Sequence, residues 1–121
     1  MKNSLFALLF IGAIVLGGVW YVAREKENDT TGASAKTFTL VVKERRLVSG
    51  DGNLQVKQGD LVTINVTADE EEEFHLHGYD KSVDLFPGAE ASLVFEASAS
   101  GRYPFELEKS KTELGAISIE P

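Results

Sequence analysis

The chain begins with an apolar stretch and continues with short segments in which apolar and polar residues alternate. Residues 5–23 contain no charged or strongly polar side chain. A helix of that length, rising about 1.5 Å per residue, nearly crosses the ~30 Å hydrocarbon layer of a bilayer. Lys2 before the stretch, Trp20 and Tyr21 at its far edge and the polar run 24–27 after it are typical of an uncleaved anchor. The pattern therefore predicts one transmembrane helix within residues 1–23.

A cleavable signal peptide is the alternative interpretation of this apolar beginning. Its cleavage site would need a pair of small residues, which Ala33 and Ala35 supply. The pair comes ten residues after the apolar run ends, so the uncleaved anchor is favoured. A short N-terminal anchor followed by a folded domain most often exports that domain. We expect a single-pass inner-membrane protein with a flexible linker at 24–36 and a folded periplasmic domain at 37–121.

The rest of the chain has the pattern of short β-strands. From residue 37 onward, alternation with a period of two recurs between turn signals such as Gly50–Asn53 and Pro87-Gly88, and helical periodicity is absent. Seven or eight short strands at regular spacing predict an all-β, antiparallel β-sandwich with one apolar face per sheet. The predicted strands lie at residues 38–42, 54–56, 62–66, 74–79, 82–86, 91–97, 103–107 and 117–119.

Composition narrows the chemistry of this domain. The formal charge of the chain is −7, which argues against nucleic acid as a partner because phosphate contacts need a basic face. The chain has no cysteine, which excludes disulfides, thiolate zinc or iron–sulfur sites and a thiol nucleophile. It has two histidines, and no serine, histidine and aspartate follow an order typical of hydrolases. We therefore expect a binding protein and not an enzyme.

Several motifs between residues 37 and 121 resemble those of the cupredoxins. The segment 101–107 (Gly-Arg-Tyr-Pro-Phe-Glu-Leu), followed by Gly115 and an apolar final strand, is similar to the end of that family's domain. Upstream, an extended strand, a Gly59-Asp60 turn and a second strand are similar to another cupredoxin element. The resemblance implies a cupredoxin-like Greek-key β-sandwich, and it places the segment 73–77, which contains both histidines, where the first copper-ligand histidine of the family lies.

Most of the copper ligands of that family are missing here. Alignment on the 101–107 motif puts Leu107 at the cysteine position, Ser110 at the second histidine position and Glu113 at the axial methionine position. Without a thiolate there is no sulfur–copper bond to set the geometry and potential of a fast electron carrier. We therefore expect no blue-copper centre. The chain is similar to membrane-tethered or exported cupredoxin-like domains with a His-x-His-Gly-Tyr-Asp segment, here residues 75–80.

The two histidines form the candidate metal site. His75 and His77 lie two apart on a predicted strand, so their side chains share one face, with Cβ atoms about 7 Å apart. Two imidazoles at that spacing can share a Cu(II) or Zn(II) ion. Asp80, three residues on, and Glu113 are the candidate oxygen donors, and the acidic run 69–73 lies just before the pair.

Strand register separates two interpretations of this segment. If Phe74 and Leu76 fill the core, the histidines point to solvent at the sheet surface. If the histidines point inward, they enter the end of the sandwich where cupredoxins hold metal. The alternation of residue types allows both registers.

A metal-free alternative also accounts for these residues. The segment 77–80 has the composition of a structural turn, and the domain would then be an interaction module that docks a periplasmic or membrane protein. An electron carrier whose ligands come from a partner is a third, less favoured interpretation. The acidic run 69–73 is interpreted as a solvated loop. The pair Arg45-Arg46, near the first strand, is interpreted as ordinary exposed charge.

Overall fold

The computed structural model describes residues 33–121, and these residues form nine β-strands. The strands are β1 (Ala35–Lys43), β2 (Arg46–Ser49), β3 (Asn53–Lys57), β4 (Leu61–Ala68), β5 (Glu72–Leu76), β6 (Lys81–Leu85), β7 (Ala91–Glu96), β8 (Gly101–Leu107) and β9 (Thr112–Glu120). Between residues 33 and 121 there is no helix long and apolar enough to cross a membrane. The predicted anchor at 1–23 and most of the predicted linker lie outside the described residues. Ala35 and Lys36, the last residues assigned to the linker, belong to β1.

The strands form a sandwich of two sheets, in the orders β2-β1-β4-β7 and β3-β9-β8-β5-β6. This confirms the all-β sandwich, but the prediction of antiparallel sheets is wrong. β1 pairs with β4 in parallel, and β3 pairs with β9 in parallel. Alternation has the same period in both strand directions, so the sequence pattern does not encode direction. Chain direction follows from the crossover: after β1 and β2 the chain enters the other sheet as β3 and then returns beside β1 as β4.

The core lies between the sheets and is built from alternate residues of each strand. β4 shows the rule: Val62, Ile64 and Val66 are fully buried, and the residues between them are less buried. Phe74 of β5 and Phe105 of β8 are also fully buried, with ring centroids 5.4 Å apart. Nearly every apolar residue at a predicted inward position is therefore buried between the two sheets.

The sequence pattern did not predict strand β2, because the turn before it contains no glycine, proline or asparagine that would mark a turn. Glu44 and Arg45 occupy the two turn positions between β1 and β2 with φ of 51° and 63°. Such two-residue hairpin loops usually carry Asn and Gly, because both central residues have positive φ. The Asp69 carboxylate accepts the backbone N–H of Glu44 at 3.2 Å, and this contact supports the strained turn. Arg45 and Arg46 are both exposed, as expected, with Arg45 in the turn and Arg46 at the start of β2.

In the Gly59-Asp60 turn, the side chain of Asp60 is hydrogen-bonded to Ser34 at the beginning of the domain. The Asp60 side chain is almost fully buried. Its carboxylate accepts the backbone N–H of Lys57 at 2.9 Å, and it accepts the backbone N–H and the hydroxyl of Ser34 at 3.1 and 3.2 Å. These donors favour the charged form and lower the pKa of Asp60, with the Lys57 N–H first in effect. Ser34 is therefore held to the folded domain immediately before β1.

Candidate metal centre

The register of β5 places both histidines on the outside of the five-stranded sheet. Phe74 and Leu76 are fully buried, whereas His75 and His77 are partly exposed. Of the two registers that the sequence allows, the structure has the one that fills the core with Phe74 and Leu76. The imidazole rings lie on one face, as period-two geometry requires, with centroids 4.6 Å apart in an edge-to-face arrangement.

The neighbouring strand β8 brings two carboxylates to these rings. Glu106 is the register partner of His75, and Glu108 follows two residues later. His77 Nε2 lies 2.8 Å from Glu106 Oε1, and His75 Nδ1 lies 3.3 Å from Glu108 Oε2. One donor atom from each of the four residues lies within 4.8 Å of all the others. We call this set, His75, His77, Glu106 and Glu108, the His–Glu cluster.

The two carboxylates predicted from the sequence occupy different positions. Asp80 Oδ1 lies 3.6 Å from His75 Nε2, on a fully exposed side chain, so Asp80 borders the His–Glu cluster. Glu113 is exposed on β9, where it is the register partner of Glu106. Neither belongs to the four residues whose donor atoms converge. Their assignment as metal ligands stays a prediction.

Sequence reasoning missed Glu106 and Glu108, although a signal was present. The 101–107 motif alternates, so Glu106 and Glu108 share the face opposite to Phe105 and Leu107. The sequence does not show that β5 pairs with β8, because β6 and β7 separate these two strands in the chain. That pairing alone brings the carboxylates to the histidines.

The His–Glu cluster contains two buried atoms for which the described residues provide no hydrogen-bond partner. Among the described residues, His75 Nδ1 and Glu108 Oε2 are the buried side-chain atoms that have no hydrogen-bond partner. They face each other at 3.3 Å, and buried polar atoms normally have a partner. An ion between the ring nitrogen and the carboxylate would satisfy both atoms.

Lys111 holds the other oxygen of Glu108. Lys111 Nζ donates to Glu108 Oε1 at 2.9 Å. This bond is the largest cause that lowers the pKa of Glu108 to about 2. Glu108 is therefore ionised at neutral pH, with Oε2 directed to His75.

Solved structures share the arrangement of the two sheets. No protein-family model and no curated protein matches the chain. A chain of a heme–copper terminal oxidase dimer aligns over 98% of this chain and 98% of its own length, with 16% identity and a TM-score of 0.60. A copper-binding protein solved in the apo form covers 69% of this chain and 86% of its own, with 11% identity and a TM-score of 0.59. The periplasmic domain of subunit II of the cytochrome oxidase (CoxB) of Bradyrhizobium japonicum covers 69% and 82%, with 15% identity and a TM-score of 0.55.

The described domain has a cupredoxin-like fold. At these identities the likeness concerns the fold alone.

Three of the four positions that the resemblance aligns with copper ligands, Leu107, Ser110 and Glu113, carry residues of another type in this domain. Leu107, at the cysteine position, is buried in the core, and the Ser110 hydroxyl is hydrogen-bonded to that of Thr112 at 3.0 Å. Leu107 faces inward whereas His75 faces outward, so the two positions lie on opposite sides of the sheet. Residues 1–121 contain no cysteine, which excludes a blue-copper site of the usual type.

The Gly-Tyr-Asp part of the motif shapes the turn beside the cluster. Gly78 has a φ of +88°, and a Cβ at this position would overlap the ring of Tyr103. The Tyr79 hydroxyl donates to the Ala99 carbonyl at 2.9 Å, and the Ala99 N–H donates to that hydroxyl at 3.0 Å. The structural turn of the metal-free interpretation is therefore present, and His77 is its first residue, directly after β5.

The acidic run is not a uniform solvated loop. Glu72 begins β5 and is nearly fully buried, and its Oε1 accepts the backbone N–H of Lys109 at 3.1 Å. Glu70 lies 3.4 Å from Arg45, and Glu71 accepts a hydrogen bond from Lys109 Nζ at 2.8 Å. The prediction of a solvated loop is wrong for Glu72, because the strand period turns this carboxylate inward where it fixes the β8–β9 loop.

The donor set suits a divalent transition metal ion. A tetrahedral ion with bonds of about 2.0–2.1 Å separates its ligands by roughly 3.3 Å. The donor atoms of the cluster lie 4.8 Å apart or less, so side-chain movements on the order of 1 Å would close the site around an ion. Imidazole nitrogen with carboxylate oxygen is a combination that Cu(II) and Zn(II) accept.

Proposed function

We propose that this chain is a membrane-tethered, extracytoplasmic cupredoxin-like protein that binds one divalent metal ion, copper(II) first, without redox turnover or catalysis. The His–Glu cluster is the proposed site. The observation that carries the proposal is the convergence of two imidazoles and two carboxylates within 4.8 Å on one sheet face. The apolar stretch 5–23 and the likeness of the fold to a periplasmic oxidase domain support the proposed location.

Copper(II) is favoured over zinc by its intrinsic affinity for such ligands. Sites with nitrogen and oxygen donors follow the Irving–Williams order, in which Cu(II) binds more tightly than Zn(II). Copper(I) prefers sulfur, and the sole sulfur atom of the chain belongs to Met1. A site that stabilises only the oxidised ion does not cycle between the two states, so we propose storage or handling of copper and not electron transfer.

Titration of the full-length chain in detergent with Cu(II) tests this proposal. We expect one equivalent to bind with a Kd below about 10 μM by calorimetry, with nitrogen hyperfine structure in the electron paramagnetic resonance spectrum. His75→Ala and His77→Ala should each weaken binding at least about tenfold. Binding should also weaken on acidification, because protons compete for the imidazole nitrogens. No binding at this level, or binding that neither His75→Ala nor His77→Ala weakens, would refute the proposed site.

Matched carboxylate variants separate the two possible ligand sets. Glu106→Gln and Glu108→Gln should weaken Cu(II) binding, since both donors lie in the cluster. Asp80→Asn and Glu113→Gln make the same change of charge outside the cluster and should have little effect. If only Asp80→Asn or Glu113→Gln weakened binding, the protein would still be a metal-binding protein. Its oxygen ligand would then be Asp80 or Glu113, as predicted from the sequence.

A metal-free interaction module is the second candidate function. Each histidine already faces a carboxylate, with His77 and Glu106 2.8 Å apart, so the cluster can exist as ion pairs without a metal. The alignment with a terminal oxidase chain over 98% of both lengths supports docking to a membrane oxidase complex. Co-purification from native membranes with a haem-containing complex would support this candidate. It would be contradicted if the protein purified without a partner and with one equivalent of copper.

A further inference from the structure

The loop between β8 and β9 brings a lysine to the His–Glu cluster. Lys111 Nζ lies 2.9 Å from Glu108 Oε1, with which it forms both a hydrogen bond and an ion pair. In the described part of the chain, the other ion pairs formed by lysine or arginine involve Glu70 and Glu71, which lie outside the cluster. Lys111 is therefore the one lysine or arginine of residues 33–121 that is paired with a carboxylate of the cluster.

The backbone of this loop holds Lys111 beside Glu108 in a conformation that lysine seldom adopts. Lys111 has a φ of 55°, in the left-handed region where a Cβ is disfavoured and glycine is preferred. Non-glycine residues keep such a conformation where the surrounding structure fixes the backbone. Here buried Glu72 accepts the backbone N–H of Lys109 at 3.1 Å. The fold therefore fixes the backbone of Lys111 next to the cluster.

Several carboxylates share the positive charge of Lys111. Glu106 and Glu113 are register partners on β8 and β9, and like charges at directly opposite positions repel each other. The hydrogen bond to Glu108 raises the pKa of Lys111, and the charges of Glu106 and Glu73 raise it further. Lys111 therefore offsets part of the repulsion among the carboxylates around the cluster.

A metal ion in the cluster would be close to the ammonium group of Lys111. Glu108 Oε2 is directed to His75, and Oε1 of the same carboxylate accepts the hydrogen bond from Lys111. An ion bound to Oε2 and the ammonium group on Oε1 would share one carboxylate, and their positive charges would repel each other. Of the two negative charges that Glu106 and Glu108 supply, Lys111 neutralises one. Lys111 therefore lowers the attraction of the cluster for a divalent ion.

The contact between Lys111 and Glu108 can also open easily. The Lys111 side chain is 73% exposed, and lysine carries its charge at the end of a flexible stem. An exposed ion pair contributes little to stability, because both groups are well solvated when they are apart. The ammonium group can therefore move into solvent when an ion binds and return to Glu108 when the ion leaves.

We propose that Lys111 is a built-in counter-ion of the metal site, which pairs with Glu108 before an ion binds, weakens the binding of the ion and takes its place on release. The site is thus adapted to release its ion and not to retain it permanently. This inference rests on the proposed function, because it concerns the affinity of the same site.

Cu(II) titration of the full-length chain in detergent, in competition with a chelator of known affinity, tests this role. Lys111→Gln removes the charge but keeps a group that can donate a hydrogen bond to Glu108, so it should bind Cu(II) at least about threefold more tightly than the natural chain. Lys109→Gln makes the same change two positions away, at a lysine that pairs with Glu71, and should alter the affinity less than about twofold. Lys111→Arg keeps the charge and should stay within about twofold of the natural chain.

Two further measurements separate a charge effect from a structural effect. Raising the concentration of a weakly coordinating salt from about 10 mM to about 500 mM should reduce the difference between Lys111→Gln and the natural chain, because salt screens exposed charges. In an excess of a strong chelator, Cu(II) should leave Lys111→Gln at least about twofold more slowly than it leaves the natural chain. Circular dichroism checks that each variant is folded.

Equal or weaker Cu(II) binding by Lys111→Gln would overturn this inference, and binding by the natural chain would then leave the proposed metal site in place. An equal gain in Lys109→Gln, or a gain that salt does not reduce, would also overturn it, because the effect would then not come from the charge of Lys111. If neither the natural chain nor Lys111→Gln bound Cu(II), the proposed function would fail together with this inference.

Discussion

At the scale of single residues, Glu108 links the stability of the domain to its candidate metal site. One carboxylate oxygen accepts a hydrogen bond from Lys111 at 2.9 Å, and the other faces His75 at 3.3 Å. The lysine keeps the carboxylate charged and restricts its rotation. The charge that would attract a metal ion is therefore maintained by a neighbour outside the donor set.

The lowered pKa of Glu108 predicts a specific loss of stability in acid. The folded state holds this pKa at about 2 against an ordinary value of 4.5, so the folded state binds fewer protons than the unfolded state between these values. The contribution is full above pH 4.5 and is lost as the pH falls toward 2. In urea unfolding from pH 7 to pH 2, the natural chain should exceed Glu108→Gln in stability at pH 7 and lose that advantage in this interval. Glu113→Gln is the control, and a constant gap between the natural chain and Glu108→Gln at all pH values would contradict the prediction.

Gly78 is a second residue at which the backbone constrains the site. Its positive φ and the nearby Tyr103 ring both disfavour a side chain. Gly78→Ala should reduce the free energy of unfolding by about 2–3 kcal/mol. Gly88→Ala is the matched control, because Gly88 has a φ of +77° but a Cβ added there would meet no other atom within 4 Å, and it should cost about 1–2 kcal/mol. Equal losses in chemical denaturation would show that the Tyr103 contact has no effect.

At the scale of elements, the pairing of β5 with β8 joins the core to the candidate site. Phe74 pairs with Leu107 and Leu76 with Phe105 on the inner face, while His75 pairs with Glu106 on the outer face. Because alternate residues point to opposite sides, each inward contact also sets the position of an outward side chain. The packing of two aromatic rings in the core thus aligns the His–Glu cluster.

Removing one of these rings should destabilise the whole domain. Phe74 is fully buried, and Phe74→Ala should lower the free energy of unfolding by about 3–5 kcal/mol through lost apolar burial and a cavity. Phe86→Ala is the matched control, since Phe86 is 58% exposed and should change stability by less than about 1 kcal/mol. Urea denaturation followed by circular dichroism measures both values, and similar losses would contradict the assigned core.

The start of β1 gives an element-scale prediction about processing. Ser34 donates two hydrogen bonds to buried Asp60, and its carbonyl accepts the N–H of Leu61 at 3.0 Å. Cleavage after Ala35 would remove these contacts. A chain that starts at Lys36 should melt about 5 °C or more below one that starts at Ala33. Equal melting temperatures in calorimetry would show that Ser34 contributes nothing to the domain.

At the scale of the whole molecule, the two sheets enclose one core and present two chemically different surfaces. The outer face of the five-stranded sheet carries the His–Glu cluster, and the outer face of the four-stranded sheet carries mainly threonine and valine side chains. The sequence pattern predicted these threonines and valines only as the residues that alternate with core residues, because a single strand does not show which side chains its neighbours present. Register across β1, β4 and β7 joins them into one surface.

The sequence by itself determined eight of the nine strands, most of the core and the absence of a thiolate copper site, because period-two alternation and composition are local properties. It also singled out His75 and His77. It left open the face to which the histidines point, and it did not identify Glu106 and Glu108. Only the tertiary structure decided these points, because the parallel pairings and the contact between β5 and β8 join segments far apart in the chain. Local patterns specify which residues turn inward, whereas the neighbours of an outward side chain depend on which strand lies next to it.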